Sequence, residues 1–120
     1  MKKGYIMNYT DSQIMPIVAE AKSAAATAAN DYFQSKLGGQ DAYCCGFAWV
    51  DIHGIRANSK IGKSLKLAGI EKDSYKKCFS IWNPSNHNCQ NIDTKEMGAI
   101  AAAKVFEKYG FRAYAGSRLD

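Results

Sequence analysis

Between Asp11 and Lys36 the apolar residues Ile14, Val18, Ala21, Ala25, Ala28 and Tyr32 recur at steps of three and four, and Gly38-Gly39 follows. That spacing stacks side chains on one face of an α-helix, and a glycine pair just beyond the last repeat is a stop signal. The chain thus commits a long N-terminal stretch to a single amphipathic helix. Its stripe is rich in alanine, so a sheet or a second copy of the helix can approach it closely. With 120 residues the chain forms one domain around one modest core, too small for an enzyme with its site between two domains. Residues 1–9 read as a flexible tail, with Met7 as an alternative start.

Beyond that helix the pattern changes to alternation. In GFAWVDI, residues 46–52, Phe47, Trp49 and Asp51 fall on one side and Ala48, Val50 and Ile52 on the other, which is the pattern of a strand. Two large aromatics on one face imply a buried or a ligand-facing surface. Asn58 or Ser59 caps a short helix through Leu67 that stops at Gly69. CFSIW, residues 78–82, makes a second strand ended by Asn83-Pro84. Asp93-Thr-Lys-Glu96 has capping-box spacing, with aspartate in place of serine or threonine, and opens a helix through Tyr109 that Gly110 closes. Residues 111–116 form a short last strand and residues 117–120 a polar tail. Helices and strands alternate over short connections, which predicts an α+β fold: a small mixed sheet with a long N-terminal helix, a short basic helix and a C-terminal helix.

The net charge of +5 is concentrated in one place. Residues 53–77 hold Arg56, Lys60, Lys63, Lys66, Lys72, Lys76 and Lys77 against only Glu71 and Asp73, while the rest of the chain is balanced. Such a block draws in anions, whether nucleotide, nucleic-acid backbone or an acidic protein face; it is equally the pattern of a solvated lysine-rich helix. Lys2 and Lys3 precede no apolar run, so the pattern is neither that of a signal peptide nor of a membrane span, and the expected location is the cytoplasm. Cys44, Cys45, Cys78 and Cys89 contain no CxxC pair, so no zinc site is expected, and thiols in a reducing compartment usually serve as small buried apolar groups.

Gly62-Lys63-Ser64 resembles the end of a phosphate-binding P-loop, which requires a glycine five residues before Gly62; Ala57 stands there. What remains is a helix start near Ser59 with Arg56, Lys60 and Lys63 beside it, enough to attract an anion but not to hydrolyse one. His87 and Cys89 suggest a thiol nucleophile, yet no third orienting group or oxyanion hole accompanies them, and a polar loop histidine is the simpler reading. Trp49, Phe79, Trp82, Phe111 and Tyr114 are core candidates. Trp82 stands apart, because it precedes an amide-rich loop: its ring could stack on a base while Asn91 reads a polar edge. Lys104, Lys108 and Arg112 approach one place at the end of the last helix, where they serve either a ligand or the helix dipole. The chain as a whole reads as a binder, with no catalytic residues, metal or cofactor.

Three segments, CGFAWV at 45–50, QNID-KE-GA at 90–99 and G-RAYAGSRLD at 110–120, give the chain a likeness to small proteins of tailed phages. It resembles the first of the Thoeris anti-defence families over roughly its last two thirds. The resemblance implies a homodimeric sponge that binds cyclic ADP-ribose isomers, or cyclic oligonucleotides, and holds them uncleaved near subunit contacts in the host cytoplasm. It also implies a pocket in which Arg56 contributes an arginine, Trp82 a stacking ring, Asn91 an amide, and Lys108 and Arg112 two cations. Lys108 departs from the arginine of the pattern and supplies a point charge instead of a bidentate fork. The alternative is an inhibitor that binds a host protein or nucleic acid through its basic face, and a third reading is an enzyme built on Cys89 and His87.

Overall fold

The structure is a computed structural model that describes residues 8–120. Helix α1 spans Asp11–Leu37, strand β1 Gly46–His53, helix α2 Lys60–Leu67, strand β2 Glu71–Asp73, strand β3 Cys78–Trp82, helix α3 Ile92–Lys108 and strand β4 Arg112–Leu119. The α+β expectation holds, with its long N-terminal helix, short basic helix and C-terminal helix. The sheet, ordered β2-β3-β1-β4, is antiparallel in every pairing rather than mixed.

Local sequence accounts for the element ends. The Thr10 backbone N–H donates to Gln13 Oε1 at 2.9 Å to open α1, and Gly38, at φ 64°, closes it by turning the chain so that the Gly39 N–H donates to the Phe33 carbonyl at 2.9 Å. Ser59 caps α2 by accepting from the Gly62 N–H at 3.0 Å. Helix α3 starts earlier than the Asp93 box predicts, because Asn91 is the cap and Asp93 lies in the first turn, where its charge suits the helix dipole. Strand β2 gave no signal, since Glu-Lys-Asp has no apolar alternation. The segment read as a polar tail continues β4 to Leu119, pairing Ser117, Arg118 and Leu119 with β1.

Burial is one-sided. Ala48, Val50 and Ile52 of β1, Phe79 and Ile81 of β3 and Ala113 of β4 face Ile14, Val18, Ala21 and Ala25 of α1 and Ala99, Ala102 and Phe106 of α3 in one core. Helix α3 packs directly on β1 and β4, while α1 runs antiparallel to α3 and also meets α2. The apolar stripe of α1 ends at Ala29, and Ala28 and Tyr32 are half-buried. Within the tail expected at residues 1–9, residues 1–7 lie outside the described part, but Tyr9 is packed: its hydroxyl donates to the Tyr109 carbonyl at 2.7 Å and its ring stacks on Phe111. No helix among the described residues is long and apolar enough to cross a membrane.

At the outer seam of α1 and α3, Glu20 accepts from the Lys108 ammonium and, at 2.6 Å, from the Tyr109 hydroxyl. The Lys108 and then the Tyr109 hydrogen bond hold the Glu20 carboxyl below the usual carboxylate range, and the bond to Glu20 raises both Lys108 and Tyr109. A lowered carboxyl stabilises the fold above its unfolded pKa and loses that effect as pH falls; the raised groups lose theirs as pH climbs through their folded values. The melting-temperature advantage of the wild type over Glu20→Gln is therefore widest near neutrality, shrinking below about pH 4 and above about pH 10. Thermal unfolding across that range checks the window; a constant difference contradicts it.

Candidate functional site

With both long helices on one face of the sheet, strand alternation carries every second side chain to the other face. There, among the described residues, β1 sets out Phe47, Trp49, Asp51 and His53, β3 sets out Trp82 beside Trp49, and β4 sets out Arg112, Tyr114, Gly116 and Arg118. Trp49 and Tyr114 are thus surface groups and not core, whereas Phe79 and Phe111 are buried as expected. Three of the rings form a connected platform. Trp49 and Trp82 are parallel to within 1°, centroids 5.5 Å apart, and Phe47 lies 5.5 Å from Trp82. At the far end His53 and Tyr114 meet at 5.6 Å. Trp82 and Tyr114 are each more than half exposed.

Gly116 is what lets Trp49 adopt this position. A Cβ at that position would sit 2.5 Å from the Trp49 Nε1, so the indole occupies the space that any other residue on β4 would fill. The same Nε1 donates to Asp51 Oδ2 at 3.2 Å, and Lys76 holds Asp51 Oδ1 at 2.8 Å while its ammonium lies 5.0 Å from the Trp49 ring centre. Phe47 carries a cation on either hand, Arg118 at 5.1 Å and Lys95 at 5.5 Å. Ammonium and guanidinium groups over ring faces are favourable contacts, and here they also rim an aromatic surface with positive charge. Beside Trp82, a cleft of about 480 Å³ is lined by Lys22, Glu71, Ser80, Asn83 and Asn86 among others.

The five site residues expected from sequence do not form one pocket in a single chain. Trp82 and Arg112 share the open face; their register partners on β1, Trp49 and His53, are four residues apart, a span of about 13 Å. Arg56 is exposed on the loop between β1 and α2. Lys108 lies in the helix layer, paired with Glu20, so the expected convergence with Arg112 fails: α3 ends on one side of the sheet and the Arg112 side chain emerges on the other. Asn91 is 1 % exposed, and both polar atoms of its side chain have partners within the chain. It donates to the Ala42 carbonyl at 2.8 Å and accepts from the N–H and hydroxyl of Thr94, both at 2.8 Å. Its role is to cap α3 and not to read a ligand.

The sequence reading did not single out Phe47, Lys76, Lys95 or Arg118 as site residues. Part of that signal was available: RAYAGSR on β4 places arginine, tyrosine, glycine and arginine at every second position. The lysines carry no such pattern, since one comes from the turn before β3 and the other from α3. The concentrated basic block is likewise divided by the fold, with Lys60, Lys63 and Lys66 on α2, Lys72 tied to the Ile55 carbonyl and Lys76 on the platform.

Gly62-Lys63-Ser64 has a structural explanation. A Cβ on Gly62 would lie 2.1 Å from the Arg56 carbonyl, and the buried Ser64 hydroxyl bonds to Asp11 of α1. His87 and Cys89 are adjacent without forming a thiolate–imidazole pair. His87 Nδ1 accepts from the Cys89 backbone N–H at 3.2 Å, the thiol points to the Asn91 carbonyl, and burial raises its pKa. Cys78 and Cys89 are buried as expected; Cys44 and Cys45, just before β1, are exposed. No protein-family model matches this chain, and neither a curated protein nor a solved structure does.

Replacing Asn91 with alanine removes the cap and leaves buried partners unpaired, which costs about 1–3 kcal/mol of stability in urea unfolding. A neutral result contradicts the structural role. Alkylation of the native protein labels Cys44 and Cys45 quickly, and Cys78 and Cys89 only on unfolding; rapid labelling of all four in mass spectra contradicts the burial pattern.

Proposed function

We propose that this chain is a non-catalytic nucleotide binder that lays a base on its open sheet face and sequesters a cyclic nucleotide immune signal, a cyclic ADP-ribose isomer or a cyclic oligonucleotide, without cleaving it. The observation that carries the reading is the parallel Trp49–Trp82 pair beside Lys76, with Arg118 and Arg112 on the same face. A flat, half-exposed indole stacks on any base, at about 1–3 kcal/mol per base, and the surrounding cations neutralise phosphate. Neither contribution requires a metal, a base or a nucleophile. The resemblance to the Thoeris anti-defence family names the ligand class and a phage protein acting in the host cytoplasm as a homodimer. In such a dimer Arg56 and Lys108 of one chain would have to meet the platform of the other, since they do not meet their own.

Calorimetric titration with cyclic ADP-ribose isomers and cyclic dinucleotides tests the proposal. Saturable binding is expected, with the ligand recovered intact after denaturation. Trp82→Ala weakens it by about tenfold or more, the equivalent of one lost stack. Gly116→Ala does the same by displacing the Trp49 indole, with the helical far-ultraviolet circular dichroism signal retained. Full affinity in the Trp82 variant, or recovery of a cleaved product, overturns the proposal.

A second reading, binding of single-stranded nucleic acid, draws on the extension of the platform over three strands to Tyr114. It predicts retention of mixed oligonucleotides that falls steeply with salt, whereas a sponge retains linear strands little at either of two salt concentrations.

A further inference from the structure

Asp51, which steadies the Trp49 indole on the open face, also belongs to a second cluster that reaches from that face to the buried Cys78. Asp51 and His53, two residues apart on β1, project to the same side, and Cys78 begins β3 next to them, one step beyond the Ile52–Phe79 pair. One carboxylate oxygen, one imidazole nitrogen and the thiol sulfur all lie within 4.8 Å of one another.

We propose that Asp51, His53 and Cys78 form a three-donor binding site for a borderline-soft divalent transition metal of the zinc class. The donor set of sulfur, nitrogen and oxygen is the mixture such ions accept, at about 2.0–2.3 Å per bond, and hard cations that require all-oxygen shells are disfavoured by it. Bonds of that length place neighbouring ligand atoms within about 4 Å in a tetrahedral shell, so a small rotation of His53 or Asp51 closes the cluster. The carboxylate is already oriented from outside, by the Trp49 Nε1–H on one oxygen and the Lys76 ammonium on the other. Lys76 competes with the metal for Asp51, and Arg112, the register partner of His53, adds a repulsive charge nearby. Binding forms one metal–sulfur bond and releases the Cys78 thiol proton to solvent; no electron is transferred. Three protein donors leave a fourth position for water. The linear sequence conceals this set because its ligands come from two strands and form no short motif. The inference does not depend on nucleotide binding.

Cobalt(II) titration of the metal-free protein tests the site, in a Cys44→Ser/Cys45→Ser background that removes the two exposed thiols. The expected result is one cobalt per chain, with a near-ultraviolet thiolate-to-cobalt band and intense visible absorption of a tetrahedral ion, both displaced by zinc. Cys78→Ser abolishes the near-ultraviolet band. His53→Ala and Asp51→Asn, at partly exposed positions where folding is readily verified by circular dichroism, each weaken cobalt binding by about tenfold or more. Absence of the band in the background protein overturns the proposal, as does unchanged affinity in both the His53 and Asp51 variants.

Discussion

The structure depends on burial of one sheet face only. Val50, Ile52, Phe79, Phe106 and Ile14 close a core between the sheet and the helices, and this apolar contact is the main source of stability in a chain of this size. Because a strand alternates, the residues that build this core determine which side chains are turned to water. Val50 inward means Trp49 and Asp51 outward; Ala113 inward means Arg112 and Tyr114 outward. The aromatic platform is thus a geometric consequence of packing on the opposite side.

What makes the exposed rings a defined surface is a set of contacts local to that face. The missing side chain at Gly116 admits the Trp49 indole, Asp51 holds its nitrogen, Lys76 bridges carboxylate and ring, and Phe47 is flanked by Arg118 and Lys95. An exposed tryptophan without such support would adopt several rotamers and lose more entropy on stacking a ligand. Here Trp49 and Trp82 are already parallel. A preorganised aromatic surface with positive charge at its margin suits planar anions, and the proposed metal site at its other end uses the same strands.

Much of this was legible in the chain. The helical period over Ile14, Val18, Ala21 and Ala25, the glycine stop at Gly38, the cap at Ser59, the strands around Trp49 and Ile81 and the closing helix all appear in the sequence because each is decided by neighbours within a few residues. The misses share a cause. Strand β2 has no apolar pattern and exists because β3 offers it a partner; the end of β4 is polar and is held by β1; Asn91, taken for a ligand amide, is a cap whose third partner, Ala42, lies far back in the chain. Lys108 and Arg112 are close in sequence yet separated by the thickness of the sheet.

The sequence by itself determined the order of every element but β2, the α+β class, the excess positive charge and the alternation that puts Trp49 and Val50 on opposite faces, since these depend on residue type and short-range periodicity. Only the tertiary structure decided which of those faces is covered, that Trp82 lies against Trp49, that Asn91 is buried, and that Asp51, His53 and Cys78 meet. Those outcomes depend on strand register and helix placement, long-range choices made by the whole core and not by any one segment.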